Sequence, residues 1–148
     1  MTKTTKSSKI SKSSQLPKFR AAVARVLDDM DLAISSELAC LQPGTAGRHS
    51  QRARQDADAA WDEVLRDLGA LATTPDLGPE DARLATLCDR LRRYLEGDDA
   101  IDPSLWRIAL RATPAQTDGP GTTAALLRRG ADLACAYGNL LALDPCAL

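Results

Sequence analysis

Residues 122–143 read TTAALLRRGADLACAYGNLLAL. On a helical period, Leu126, Leu133, Tyr137 and Leu140 fall along one side, Ala131, Cys135, Gly138 and Ala142 along another, and Arg128, Asp132 and Asn139 share a narrow polar strip. A helix that is apolar round most of its circumference belongs inside a bundle, so the stretch predicts a central packing helix, capped by Thr122 and stopped by Asp144-Pro145. Its small side sharpens the reading. Alanine, cysteine and glycine at spacings of four and three let a neighbouring backbone come close, which offsets glycine's helical cost of about 1 kcal/mol.

Four further helices are expected upstream. From about Pro17 to Leu41, the residues Leu16, Phe19, Val23, Val26, Leu27, Met30, Ile34, Leu38 and Leu41 fall on one stripe, with Glu37 at its edge as a solvated rim residue. Pro43-Gly44 ends this helix. A second helix, Ser50 to Ala72, buries Ala57, Trp61, Val64, Leu65, Leu68 and Leu71, and its basic start, Arg48 to Arg54, has the wrong polarity for a helix N-terminus. Pro79-Glu80-Asp81 opens a third, which runs to about Glu96 and turns Leu84, Leu87, Cys88, Leu91 and Leu95 inward. A short fourth helix, Pro103 to about Ala112, carries two apolar stripes on opposite sides. Ile101, Leu105, Ile108 and Ala112 make one; Trp106 and Leu110 lie opposite, flanked by Arg107 and Arg111.

The expected fold is therefore all-α: a single-domain bundle of about five helices, with four in the core and the 103–112 helix as an accessory. Composition agrees. Aromatics are 3% of 148 residues, so the core is built from Leu, Ala, Val and Ile, and one core is what this length supports. No apolar run is long enough for a membrane span, and no charged start precedes a short apolar run, so neither a span nor a secretory signal is expected.

The net charge of −1 hides a division. All five lysines, Lys3, Lys6, Lys9, Lys12 and Lys18, precede the first acid, Asp28, so residues 1–18 carry +5 and the remainder carries −6. Residues 1–16 lack the apolar content to offset their ordering entropy, and are expected to form a disordered Lys/Ser/Thr-rich arm ahead of a bundle domain spanning 17–148.

The chain carries no recognisable catalytic constellation. The single histidine, His49, sits among arginines, no glycine-rich loop ends in lysine, and Asp28/Asp29 and Asp98/Asp99 are sequence neighbours that a helix points apart. Cys40, Cys88, Cys135 and Cys146 are widely spaced without a CxxC pair, as expected of reduced thiols rather than a zinc site or disulfide framework. Cys146 is the one expected to react. Neither a metal nor a cofactor is expected.

The functional expectation is a non-catalytic, cytoplasmic protein-interaction module: an adaptor, chaperone-like factor or regulator, binding a partner protein or itself through Trp106, Arg107, Leu110 and Arg111. The excess of Arg over Lys, with abundant Ala and Leu, suggests a bacterial chain from a GC-rich genome. A second reading makes it a nucleic-acid-associated protein that contacts phosphates through Lys3, Lys6, Lys9, Lys12, Lys18, Arg48, Arg52 and Arg54. A third makes it an exported effector with residues 1–18 as leader.

Overall fold

The computed structural model describes residues 3–41, 48–97, 106 and 122–143; for residues 3–17 and 48–50 it describes the helical backbone alone. Four helices account for nearly all of these residues: α1, Lys3–Cys40; α2, Arg48–Ala72; α3, Pro79–Leu95; and α4, Thr123–Leu143. No strand occurs among the described residues. The protein is an all-α helical bundle.

Contacts between helices fix their directions. Trp61, midway along α2, lies at the level of Glu37 near the end of α1 and, through Tyr137, of Tyr94 near the end of α3, while Ala72 at the end of α2 lines a groove with Ala82 and Ala85 near the start of α3, so α2 runs antiparallel to α3. Along α3 and α4, Asp81 meets Thr123, Leu87 meets Gly130 and Tyr94 meets Tyr137, so both sequences rise together and the helices are parallel. Arg20 lies at the level of Asp81 and Thr123 while Asp28 pairs with Arg129, which sets α1 parallel to α4 as well. Three helices therefore point one way and α2 the other. The packed neighbours form a ring, α1–α2–α3–α4 and back to α1, with α1 and α3 also touching across the diagonal. A parallel α3–α4 pair needs a connection that returns the whole length of the bundle, and the chain spends residues 96–122 on it.

Inside the ring Val23, Leu27 and Met30 of α1 meet Val64 and Leu68 of α2, Leu84, Cys88 and Leu91 of α3, and Leu126, Ala134 and Leu140 of α4, all essentially without solvent contact. Each full-sized aliphatic side chain there contributes about 2 kcal/mol of transfer free energy. Local chemistry sets the helix ends. Pro79 opens α3, whose first turn holds Glu80 and Asp81 and whose last turn holds Arg92 and Arg93, both in the sense that the helix dipole favours. Gly97, at φ +80°, follows its last turn, and its N–H donates to the Tyr94 carbonyl at 3.2 Å. Thr122 caps α4 as expected, its hydroxyl accepting from the Ala125 N–H at 3.2 Å.

The small side of α4 is displaced from the expected one. Its seam against α3 runs through Gly130, Ala134 and Gly138: a Cβ on Gly130 would lie 2.6 Å from Leu87, and one on Gly138 2.9 Å from the Tyr94 hydroxyl. Ala131 is also buried, but Ala142 is exposed and Cys135 only half-buried. Nor is α4 central. In a ring of four every helix is a wall, and the outward strip of Asp132, Asn139 and Leu141 to Leu143 is what a wall shows to water.

Two further expectations change. The backbone of α1 begins at Lys3 rather than near Pro17. Serine, threonine and lysine do not break a helix that the body has already nucleated, whereas Pro17, inside the run, removes one donor and crowds the carbonyl of Ser13, four residues back, at a cost of about 3 kcal/mol. The stripe of α1 also loses its seal at the end, where Leu38 is exposed and Leu41 half-buried. The expected 103–112 helix lies outside the described residues apart from Trp106, which is helical. No described helix is long and apolar enough to cross a membrane.

Candidate interaction surface

The directions of the helices give the bundle two ends of opposite chemistry. At the end where α3 and α4 begin, Asp81 is 1% exposed. Its carboxylate oxygen Oδ1 accepts from Arg20 Nε of α1 at 2.9 Å and lies 3.5 Å from the Thr123 hydroxyl of α4. Arg20 also approaches the exposed Glu80 at 3.9 Å. One buried carboxylate thus joins three helices at a fixed level. The sequence does contain its signal: Asp81 precedes Leu84, Cys88 and Leu91 on the inward stripe of α3, and an acid in that position needs a cation from a neighbour.

At the opposite end the chain gathers both its tryptophans and both its tyrosines. Trp61 meets Tyr137 edge to face, with centroids 5.2 Å apart at 66°, Tyr137 meets Tyr94 at 5.6 Å and 78°, and Tyr94 meets Trp106 at 6.4 Å and 61°. The Trp61 indole N–H donates to Glu37 Oε1 at 2.9 Å, so Glu37 is half-buried and anchors the series rather than standing on a solvated rim. Burial, then the charge on Glu37, then Tyr94 raise the Tyr137 phenol above its ordinary pKa. Beside these rings the last turns of α1 and α4 leave Leu38, Leu141 and Leu143 exposed, Leu143 at 65%. Leu32, also at 65%, stands on α1 further back.

The sequence-derived sites divide along the same axis. Trp106 is half-buried against Tyr94, while Arg107, Leu110 and Arg111 lie outside the described residues. Lys3, Lys6, Lys9 and Lys12 belong to the first turns of α1, with side chains outside the described set, and Lys18 is exposed. Arg52 and Arg54 are exposed near the start of α2; Arg48 and His49 are described in backbone only. The start of α2 is at the aromatic end and the start of α1 beyond the polar end. The two basic groups are therefore not brought together, being separated by the roughly 33 Å that 22 residues of helix span between Lys18 and Cys40.

Cys88 is sealed in the core, where burial pushes its thiol up to about 12, while Cys40 and Cys135 are half-buried and Cys146 is outside the described residues. An open groove of about 390 Å³ runs along the α2–α3 face past Ala72, Leu77 and Ala85. Both oxygens of the acid on its wall, Asp89, are held by Arg92 and Arg93 at 3.2 Å. Among the described residues no three His, Cys, Asp or Glu side chains converge as metal ligands, and no buried side-chain polar atom lacks a hydrogen-bond partner. Comparison with protein-family models, with curated proteins and with solved structures returned no match.

Proposed function

We propose that this chain is a non-catalytic protein-interaction module, an adaptor, chaperone-like factor or regulator, working through the aromatic end of its bundle. The observation that carries the reading is the exposure of Leu38, Leu141 and Leu143 in the final turns of two parallel, adjacent helices. Large apolar side chains left exposed in the last turns of two adjacent helices are the kind of surface a partner would cover. The linked rings, Trp106 among them, lie toward the same end of the bundle, and the Trp106-Arg107 sequence, with Leu110 and Arg111 following, is the residue mix enriched at interface hot spots.

Self-association is the form open to immediate test. Sedimentation equilibrium of the full chain is expected to show a concentration-dependent dimer, which Leu141→Ser with Leu143→Ser reduces while the melting temperature stays nearly constant. Trp106→Ala is expected to act in the same sense. A chain that stays monomeric at high concentration, with Trp106→Ala costing the roughly 3–5 kcal/mol of an emptied core site, would overturn the reading.

A further inference from the structure

The N-terminal part of α1 belongs to the other end of the molecule, and its chemistry is independent of the aromatic end. Arg20 is level with the first turns of α3 and α4 through its bond to Asp81, so residues 3–17 of the helix precede the level at which those helices begin. At about 1.5 Å per residue they span about 22 Å. The root of this extension is fixed, because Arg20, Asp81 and Thr123 tie three helices together there.

From Met1 to Leu27 the chain has no acid, and its five lysines begin at Lys3 and end at Lys18. Lys3, Lys6, Lys9 and Lys12 recur at every third position. On a helix each is set about 60° back from the last, so the four register positions wind round half the circumference. A flat anionic surface meets one side of a helix and leaves the rest of such a charge set unpaired. A groove with a phosphate wall on either side meets most of it, and the major groove of duplex DNA, about 12 Å wide, admits one helix. The exposed acid Glu80 stands 3.9 Å from Arg20, at the root rather than along the arm.

We infer that residues 3–18 form a helical arm that binds the phosphates lining a groove of duplex nucleic acid, without reading base sequence. Five neutralised phosphates correspond to a slope of about −4.5 in log affinity against log salt, or about 500-fold weaker binding between about 50 and 200 mM salt. Fluorescence anisotropy of labelled duplex DNA with the full chain measures this directly. Lys6→Gln with Lys9→Gln is expected to flatten the slope by about 2 units, and deletion of residues 1–16 to remove binding at about 50 mM salt while helical circular dichroism and melting of the body persist. Three results would each overturn the inference: no duplex binding at about 50 mM salt, undiminished binding after the deletion, or equal or tighter binding to single-stranded DNA or to phosphatidylcholine–phosphatidylserine vesicles.

Discussion

The two ends of the bundle solve the same problem, holding helices in register where the core thins out, by different physics. At one end a single buried carboxylate receives an arginine, with a hydroxyl beside it. At the other, four rings touch edge to face and one glutamate anchors the first of them. An ion pair concentrates its energy in one contact and in the cost of leaving either charge behind. Linked rings spread theirs over area. The polar end should therefore respond asymmetrically to loss of one partner or the other, and the aromatic end in proportion to the volume removed.

Arg20→Ala is the largest expected effect. It strands the Asp81 carboxylate, 1% exposed, beside a Thr123 hydroxyl at 3.5 Å, and the loss expected in urea unfolding is about 4 kcal/mol. Trp61→Ala follows at about 3 kcal/mol, since it empties a large site between Glu37 and Tyr137 that is only half-buried. Asp81→Ala should cost less than its partner's removal, about 2 kcal/mol, because the Arg20 side chain left behind is 38% exposed and can be hydrated. Equal losses for Arg20→Ala and Asp81→Ala would break the contrast, since they would mean that the carboxylate is no more desolvated than the guanidinium.

Alkali tests the aromatic end against the core. The raised Tyr137 phenol keeps its proton in the native state at a pH where the unfolded chain releases it, so stability falls as pH rises above about 10. Cys88, at about 12 when folded against 9.0 when unfolded, adds a fall in the same direction that begins near pH 9. Tyr137→Phe should flatten the decline above pH 10 and leave the part that starts near pH 9, as read by denaturant midpoints across the range. An unchanged profile would show that the ring hydroxyl is solvated at the aromatic end.

The helices are legible in the sequence because each buries an amphipathic stripe of period near 3.6, and the caps at Thr122 and Pro79 are local chemistry. What the stripes do not encode is which helix lies beside which. The apolar circumference of α4 suggests a central helix only if Leu141, Ala142 and Leu143 count as buried, whereas the bundle ends beside them. Asp81 reads as a helix-start acid, and Glu37 as a rim acid, since a partner 61 positions away in one case and 24 in the other leaves no local mark. The clustering of Trp61, Tyr94, Trp106 and Tyr137 is hidden for the same reason: it exists only once α3 and α4 run parallel.

The smallest expected effect gives the finest test of the polar end. Thr123→Val keeps the shape and the β-branch of a side chain that is 8% exposed and removes only the hydroxyl. At 3.5 Å from Asp81 that hydroxyl is at the outer limit of a hydrogen bond, and Arg20 Nε at 2.9 Å already serves the same oxygen. The expected loss is about 0.5 kcal/mol, with Thr122 still capping the helix. Combining Thr123→Val with Arg20→Ala makes the prediction stricter. Once the guanidinium is gone the Thr123 hydroxyl still stands beside Asp81 Oδ1 as a donor, so the valine should cost more in that background than alone, and the double-mutant coupling should be positive and at least about 0.5 kcal/mol. Strict additivity would mean that water, not Thr123, takes over at Asp81, and the polar end would then be a two-residue contact rather than a three-helix clamp.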